Sequence, residues 1–385
     1  MLALRLARGA HPLVLLRRLL VAAAAAGTGF LLLCALGHAL GHPGSGGAAA
    51  RLAWCALPLA ATGYFAVAVA RTDPGTKPRP GLSSVGLGPG RLMVISAMTT
   101  AVACTLGSMV ALLFFLHLRG DLTGLPFDGA AAELLAADRP LPLAAALTLL
   151  ALAPLGASCA VALTLRPRRT KPGAEPPDPD APPPAPGGLP WGVALLAAGL
   201  AVETYASGAD AAPGLRMPGG IDGSPAGVLT GWALTAIGLA LAGPGLTHLC
   251  GRVLQAVRPG ALRLLAGRVL MREARRIGQP LGVVCAVASG AYALTTLHAA
   301  GGRADIGPLT TLGALLVAGC TVLTLVTAAA EARRARASTR AALVRLGAPA
   351  SLLRGSAALR AGVLAAAFGP LTWLVAQLSA MPLTA

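Results

Sequence analysis

An all-α polytopic bundle of transmembrane helices is the fold this sequence predicts, and three observations predict it. Of 385 residues, 55% are hydrophobic and 12% charged, where a soluble domain carries roughly 25% charged residues. Apolar runs of spanning length recur from end to end and leave no interval wide enough for an ordinary soluble domain. The basic residues, 31 Lys and Arg against 14 Asp and Glu, gather in the short segments between those runs. In a soluble protein the net charge of +17 would point to nucleic acid. Here an aromatic content of 3% offers no stacking platform for bases, and membrane topology accounts for the arginines. Lys77 and Lys171 are the only lysines. With the excess of Ala, Gly and Pro, that preference for Arg indicates a GC-rich bacterial genome, a matter of codons and not of function.

A spanning helix needs about 20 mostly apolar residues. Nine segments qualify: 19–40, 52–70, 92–116, 141–165, 189–206, 226–247, 280–299, 308–330 and 361–383. The first exceeds the roughly 7–15 apolar residues of a signal peptide. Leu32-Leu33-Cys34 also lacks the small residue that a lipoprotein cleavage site sets before its cysteine, so a retained helix is expected. The fifth, 189–206, is the shortest and carries Glu203 near one end. Orientation follows from Lys and Arg, which concentrate on the cytoplasmic side. With the N-terminus inside, the outer segments hold only Arg51, Arg119, Arg139, Arg216 and Arg303, and every other Lys and Arg falls inside. An extra or missing span would scramble this bias. It therefore supports the span count, a multi-pass location in the cell membrane, a cytoplasmic N-terminus and an extracellular C-terminus.

Ala22 to Ala26 with Gly27 and Gly29, and Ala97-Ala101-Thr105, gather small residues on helix faces and predict close helix approach. Trp54 and Trp191 fall near span ends, as interfacial anchors do; Trp232 and Trp373 lie deeper and are expected to pack between helices. The seven cysteines form no CxxC pair and lie in or beside apolar runs. They read as small buried hydrophobes, not as a disulfide or zinc framework. The Pro-rich segment 166–188, RPRRTKPGAEPPDPDAPPPAPGG, predicts an extended cytoplasmic linker. The largest outer loop, 118–140, predicts a surface helix near 130–137; its Arg119-Gly120-Asp121 is a chance match to an adhesion motif.

No GxxxxGK[ST] loop is present, so the chain does not hydrolyse ATP by that route. No HExxH, nucleophile elbow or metal-ligand cluster appears, and His11, His38, His42, His117, His248 and His298 are scattered. No catalytic residue, metal or cofactor is therefore expected, and the chain itself is not expected to be an enzyme. Ion-coupled carriers place an ionisable side chain near the bilayer midplane. The midpoints of spans one, three, four and eight, near Phe30, Cys104, Ala153 and Cys320, are uncharged, and Glu203 is the single carboxylate within any predicted span. Its place near the outer end weighs against such a carrier.

The informative stretch is 331–354 with its flanks, EARRARASTRAALVRLGAPASLLRGSAALRAGVLAAAFG. A helix is predicted to leave the membrane after Ala330 and to carry a basic face. It then turns at Leu346-Gly347-Ala348 and re-enters beyond Leu352 and Arg354. On these residues the chain resembles the FtsX/MacB-type permeases, the membrane subunits of ABC transporters. In that family an arginine-rich stretch follows a span, then come a basic residue, an L-G-A turn and a re-entering helix. Arg345 stands directly against Leu346 where the family often leaves a gap, and the charged stretch matches in type more than in spacing. The resemblance implies that Glu331, Arg333, Arg334, Arg336, Arg340, Arg345, Leu346, Gly347 and Ala348 form a cytoplasmic coupling helix seated on a separate ABC ATPase subunit. The residues alone leave open a plain positive-inside anchor.

The family often duplicates its core, and a faint repeat fits. Ser84-Val85-Gly86-Leu87-Gly88 corresponds to Leu343-Val344-Arg345-Leu346-Gly347, which makes Val85, Leu87 and Gly88 candidates for a first coupling element. Leu4, Leu6, Arg8, Arg17 and Arg18 echo Leu265, Arg268, Arg272, Arg275 and Arg276. Both predict basic amphipathic lead-ins lying in the interface before turning into the bilayer. The implied organisation is a first repeat of four spans at 1–165, the linker at 166–188, two inserted spans at 189–247 and a second repeat of three spans at 248–385. That order resembles the ten-span permeases that sense antimicrobial peptides. Three departures stand out. Prolines at 74, 78, 80 and 89 interrupt the first-repeat loop. Only 300–307 remains where the family carries a large extracellular domain, and no closing span follows the ninth. The resemblance implies a permease that couples ATP hydrolysis in a partner subunit to movement or export of a lipid, drug or peptide, as a homo- or hetero-oligomer. An ATP-independent carrier or channel, and a non-transporting scaffold or sensor, remain open on the residues themselves.

Overall fold

The computed structural model describes residues 12–42, 47–73, 88–122, 129–132, 135–166, 185–208, 226–256, 260–299 and 307–384. The linker at 167–184 and the first-repeat loop at 74–87 lie outside them. Every regular element among the described residues is α-helical. In order these are α1 (Pro12–Gly41), α2 (Gly47–Trp54), α3 (Ala56–Thr72), α4 (Pro89–Arg119), α5 (Leu143–Leu165), α6 (Leu189–Gly208), α7 (Ala226–Ala256), α8 (Ala261–Ala299), α9 (Pro308–Ala335), α10 (Ala337–Arg345) and α11 (Ala350–Thr384). Nine stretches among them are long and apolar enough to cross a membrane. Their outward faces carry side chains that water would not tolerate in such number: Val94, Met98, Val102, Leu106, Val110 and Leu113 line one side of α4 and are all more than half exposed except as lipid covers them. The chain is a multi-pass integral membrane protein.

The first compact unit comprises residues 1–169, 216–220 and 305–324. Its core joins Val21, Ala25, Phe65, Cys104, Ala157 and Cys320. The small-residue face of α1 closes on its neighbours as expected, with Gly29 against Ala111 and Leu150. On α4 the expected face packs only in part, since Ala97 lies against the cluster of Val67, Ala70 and Val161 while the main contact of α4 is elsewhere. Its packing stripe runs through Cys104, Gly107, Ser108, Ala111 and Phe115, whereas Thr105 is exposed. Gly107 meets the backbone of Ala22 so closely that a Cβ there would collide with its carbonyl oxygen. Buried polar groups find partners: the hydroxyls of Thr28 and Thr62 bond at 2.8 Å, and Ser108 donates to the Leu150 carbonyl at 3.1 Å. At one end of the unit Arg18 pairs with Asp73 at 2.6 Å and Arg17 donates to Thr72 at 3.1 Å.

The second unit comprises 170–215, 221–304 and 325–385. Here α6 packs on α7, α7 on α8, and α8 on α11. The α7–α8 contact is backbone on backbone: a Cβ on Gly278 would stand 2.6 Å from Pro244 Cα, and one on Gly251 would stand 2.9 Å from the Gly267 carbonyl oxygen. Without a hydrophobic drive between helices in lipid, such small-residue contacts supply the dispersion energy of association.

Three further expectations are corrected. Arg268, Arg272, Arg275 and Arg276 lie inside the 39-residue α8, so the second set forms no separate interfacial lead-in; of the first set, Arg17 and Arg18 lie inside α1, whereas Leu4, Leu6 and Arg8 lie outside the described residues. Extending a helix already nucleated satisfies each further backbone group, whereas a bend at the bilayer surface would free several. Among the described residues near 130–137 there are turns, closed by Leu135 N–H to the Ala131 carbonyl and Ala137 N–H to the Ala132 carbonyl, and no helix. Leu135 is drawn into the core with Leu33, Phe115 and Ala146, and Ala136 takes a positive φ of 50° that ends helical continuation. Trp373 is 60% exposed and does not pack between helices. The Arg119-Gly120-Asp121 tripeptide is a helix terminus: Gly120 caps α4 at φ 93°, and Arg119 Nε pairs with Asp121 at 3.2 Å.

Gly107→Ala is expected to destabilise the first unit by about 1–3 kcal/mol through overpacking. Gly156→Ala, with nothing within 4 Å of its Cβ position, is expected to be neutral or to raise stability by up to about 1 kcal/mol. Thermal unfolding in detergent compares the two.

Candidate functional site

The arginine-rich stretch begins inside the last turns of α9. An α-helix rises 1.5 Å per residue, so the 28 residues of α9 extend roughly 42 Å, against a hydrocarbon thickness of roughly 30 Å. The 39 residues of α8 and the 35 of α11 likewise outrun the bilayer. Polar ends of these three helices therefore project past the apolar core. Arg336 interrupts the helix for one residue between α9 and α10, and the ladder resumes with Arg340 N–H to the Arg336 carbonyl at 2.8 Å.

The two helices that follow one another here are joined by a complete C-terminal cap. Gly347 sits at φ 87°, Gly347 N–H donates to the Val344 carbonyl and Ala348 N–H to the Leu343 carbonyl, each at 3.0 Å. This reciprocal pair is the Schellman arrangement, which calls for glycine at the left-handed position. Pro349 then fixes the entry to α11, and its carbonyl accepts Leu352 N–H at 3.1 Å. The turn expected at Leu346-Gly347-Ala348 is thus built by the αL tolerance of one residue and by the proline behind it.

The predicted residues fall into two groups. Arg333, Arg334, Arg340 and Arg345 are exposed, and Leu346 is 84% exposed. Glu331 and Ala348 are half-buried, and α10 as a whole buries no residue. Arg336 differs from the rest. Its Nη1 donates to Glu273 Oε2 at 3.0 Å, which ties the head of the stalk to α8. Glu273 is 9% exposed and lies close enough to Arg360 of α11 and to Arg276 to interact with both. One carboxylate therefore stands among three arginines contributed by α8, the α9–α10 junction and α11, bonds one of them directly and offsets part of their charge. Nearby, Ala274 and Ala332 are fully buried, and Arg360 Nε donates to the Ser356 carbonyl at 3.2 Å.

Glu273 and Arg360 were not among the residues singled out from sequence. The available signal was that Glu273 is the single acid in a helix rich in arginine. Of the first-repeat candidates, Val85 and Leu87 lie outside the described residues. Gly88 is the N-cap of α4 at φ −69°, ψ 167°, with Pro89 at the first helical position. It accepts Arg91 N–H at 3.0 Å. It does not share the left-handed conformation of Gly347, so the two glycines that align in the repeat serve opposite helix ends. No family model, curated protein or solved structure matches this chain.

Glu273→Gln is expected to leave Arg336 and Arg360 unbalanced and to loosen the junction by about 1.5–3 kcal/mol, the worth of a hydrogen bond to a charged group. Arg336→Gln should cost a similar amount, and the double substitution less than the sum. Hydrogen exchange of the α10 amides, read for all four proteins, checks the coupling.

Proposed function

We propose that the chain is the membrane-spanning permease subunit of an ABC transporter, driven by a separate cytoplasmic ATPase subunit. The observation that carries this reading is α10: a short basic helix that buries none of its own residues, held at a defined angle by a capped turn and an ion pair. A segment serving only as a positive-inside anchor needs charge but no such geometry. Arg340 and Arg345 with Val344 and Leu346, the last two 53% and 84% exposed, present a mixed apolar and basic surface of the kind that protein interfaces use. The positive-inside bias, under which this surface would face the cytoplasm, supports the same reading, as does the likeness of the turn to the FtsX/MacB-type permeases.

Coupling requires an element with two arrangements that both ends can bias. The α9–α10–α11 hairpin supplies one. Force on α10 is passed to α9 through the Arg336 junction and to α11 through the Gly347 turn, while Glu273 holds the resting arrangement against α8. An apolar cleft of about 410 Å³ lined by Cys285, Tyr292, Phe368, Thr372, Trp373 and Ala376 lies between α8 and α11. Motion of α11 would reshape that cleft, which suits a lipid or another hydrophobic cargo. The chain contributes no catalytic residue in this scheme.

Arg340→Glu and Arg345→Glu should each reduce co-purification of the ATPase by roughly tenfold or more, a loss of about 1.4 kcal/mol per decade, with normal membrane insertion. Unchanged capture by both variants would leave the stretch as an anchor. Thiol labelling of Arg333→Cys from the cytoplasmic face alone checks the orientation.

A further inference from the structure

Glu203 stands apart from the stalk. It lies near the C-terminal end of α6 and is fully buried at 0% exposure, one of the largest side chains so enclosed. Thr235 of α7 donates to its Oε1 at 3.1 Å. Ser379 of α11, itself buried, lies beside the same carboxyl. Its Oε2 has no hydrogen-bond partner among the described residues. The enclosure is built from glycine: a Cβ on Gly231 would stand 2.5 Å from Glu203 Cγ, and a Cβ on Gly199 would stand 2.6 Å from the Thr235 nitrogen. The close α6–α7 contact is therefore shaped around this one polar side chain.

Among the described residues, nothing would compensate a negative charge here. Among the described residues, α6 itself offers only Tyr205, which is 82% exposed. On α7 the titratable groups His248, Cys250 and Arg252 lie roughly 20 Å or more along the axis from Thr235. On α11 Arg360 and Arg354 lie roughly 28 Å or more from Ser379. Two hydroxyls can stabilise a neutral carboxyl, but they cannot offset the cost of an unpaired charge removed from water, which amounts to several kcal/mol even after relaxation.

We infer that Glu203 is a proton-binding site within the membrane, sealed between α6 and α7 by Gly199 and Gly231, with Thr235 holding the carbonyl-like Oε1. The bound species is a single proton, placed on Oε2, the oxygen that no protein donor occupies. Release of that proton leaves a carboxylate that must be hydrated, and hydration requires the α6–α7 contact to separate. Proton occupancy and closure of this helix pair are therefore linked: the closed pair binds more protons than the opened pair, so a rise in pH favours opening. This site is independent of the ATPase-coupling reading, because no residue of the stalk takes part in it.

Infrared spectroscopy of the full chain in lipid vesicles tests the site. The difference spectrum between wild type and Glu203→Gln should show loss of a protonated carboxylic C=O band at neutral pH. In D2O that band should shift only slowly, persisting after exposed amides have exchanged. Loss of ionised carboxylate bands instead, or immediate deuteration of the C=O band, would overturn the inference. If sodium ions converted the protonated band to the ionised one at fixed pH, the site would be a cation site and the proton assignment would fail. Thr235→Val provides a second reading that does not depend on the Gln variant folding. Removing the hydroxyl that donates to Oε1 should move the same band to higher frequency, and an unmoved band would count against the site.

Discussion

The hydrocarbon interior of a bilayer contains no water to satisfy backbone N–H and C=O groups, and this constraint decides most of the molecule. Each unpaired group there costs several kcal/mol, so every crossing among the described residues is helical, and the longest of them, α8, α9 and α11, run past the apolar layer before they turn. The same constraint explains why proline is tolerated in mid-helix. Pro154, Pro244 and Pro280 sit inside α5, α7 and α8, where leaving the helix would free more groups than the ring removes. It also explains the abundance of threonine and serine hydroxyls donating to carbonyls three or four residues back, such as Thr100 to Ser96 and Thr324 to Cys320. With no water available, a hydroxyl finds its partner in its own helix.

Once all spans are helical, association must come from contact rather than from expulsion of water. Glycine then acts as a recess for a neighbour. Gly107 receives the Ala22 backbone, and Gly243 and Gly278 meet each other. These contacts are unforgiving in one direction, since a methyl group collides, yet each glycine raises the intrinsic cost of helix formation by about 1 kcal/mol. Glycines at such sites trade helix propensity for close packing. Gly156, facing open space, shows the cost without the packing.

The sequence made the bundle legible because spanning length and the absence of charge are properties of single segments. The nine helices of spanning length among the described residues were readable that way, as was the L-G-A turn, whose glycine and following proline are local signals for a helix end. Helix ends were less legible. The basic lead-in of α8 has the composition of an interfacial segment, and only the unbroken helix from Ala261 to Ala299, which carries Pro280 in its interior, shows it to be one helix with the span. Faces were harder still: an Ala97-Ala101-Thr105 stripe and a Cys104-Gly107-Ala111 stripe are both small, and the neighbouring helices bury the second fully while covering the first at Ala97 and leaving Thr105 exposed. Glu273 escaped notice because its meaning depends on Arg336, 63 residues away in sequence.

Two carboxylates of the second unit show how surroundings assign different chemistry to the same side chain. Glu273 lies where α8, the α9–α10 junction and α11 bring arginines together, and its charge is what allows those helix ends to approach. Glu203 lies among hydroxyls and glycines, and there an uncompensated charge would force the helices apart. An ionised Glu273 therefore closes its helix cluster, whereas an ionised Glu203 opens its helix pair. A protein moved by charge at one end, through a basic stalk, and by protonation within the membrane would have two separate levers on one set of helices. Both would act on α11, since Arg360 stands near Glu273 and Ser379 beside Glu203. That shared helix is the physical route by which either lever could alter the cleft at Phe368 and Trp373.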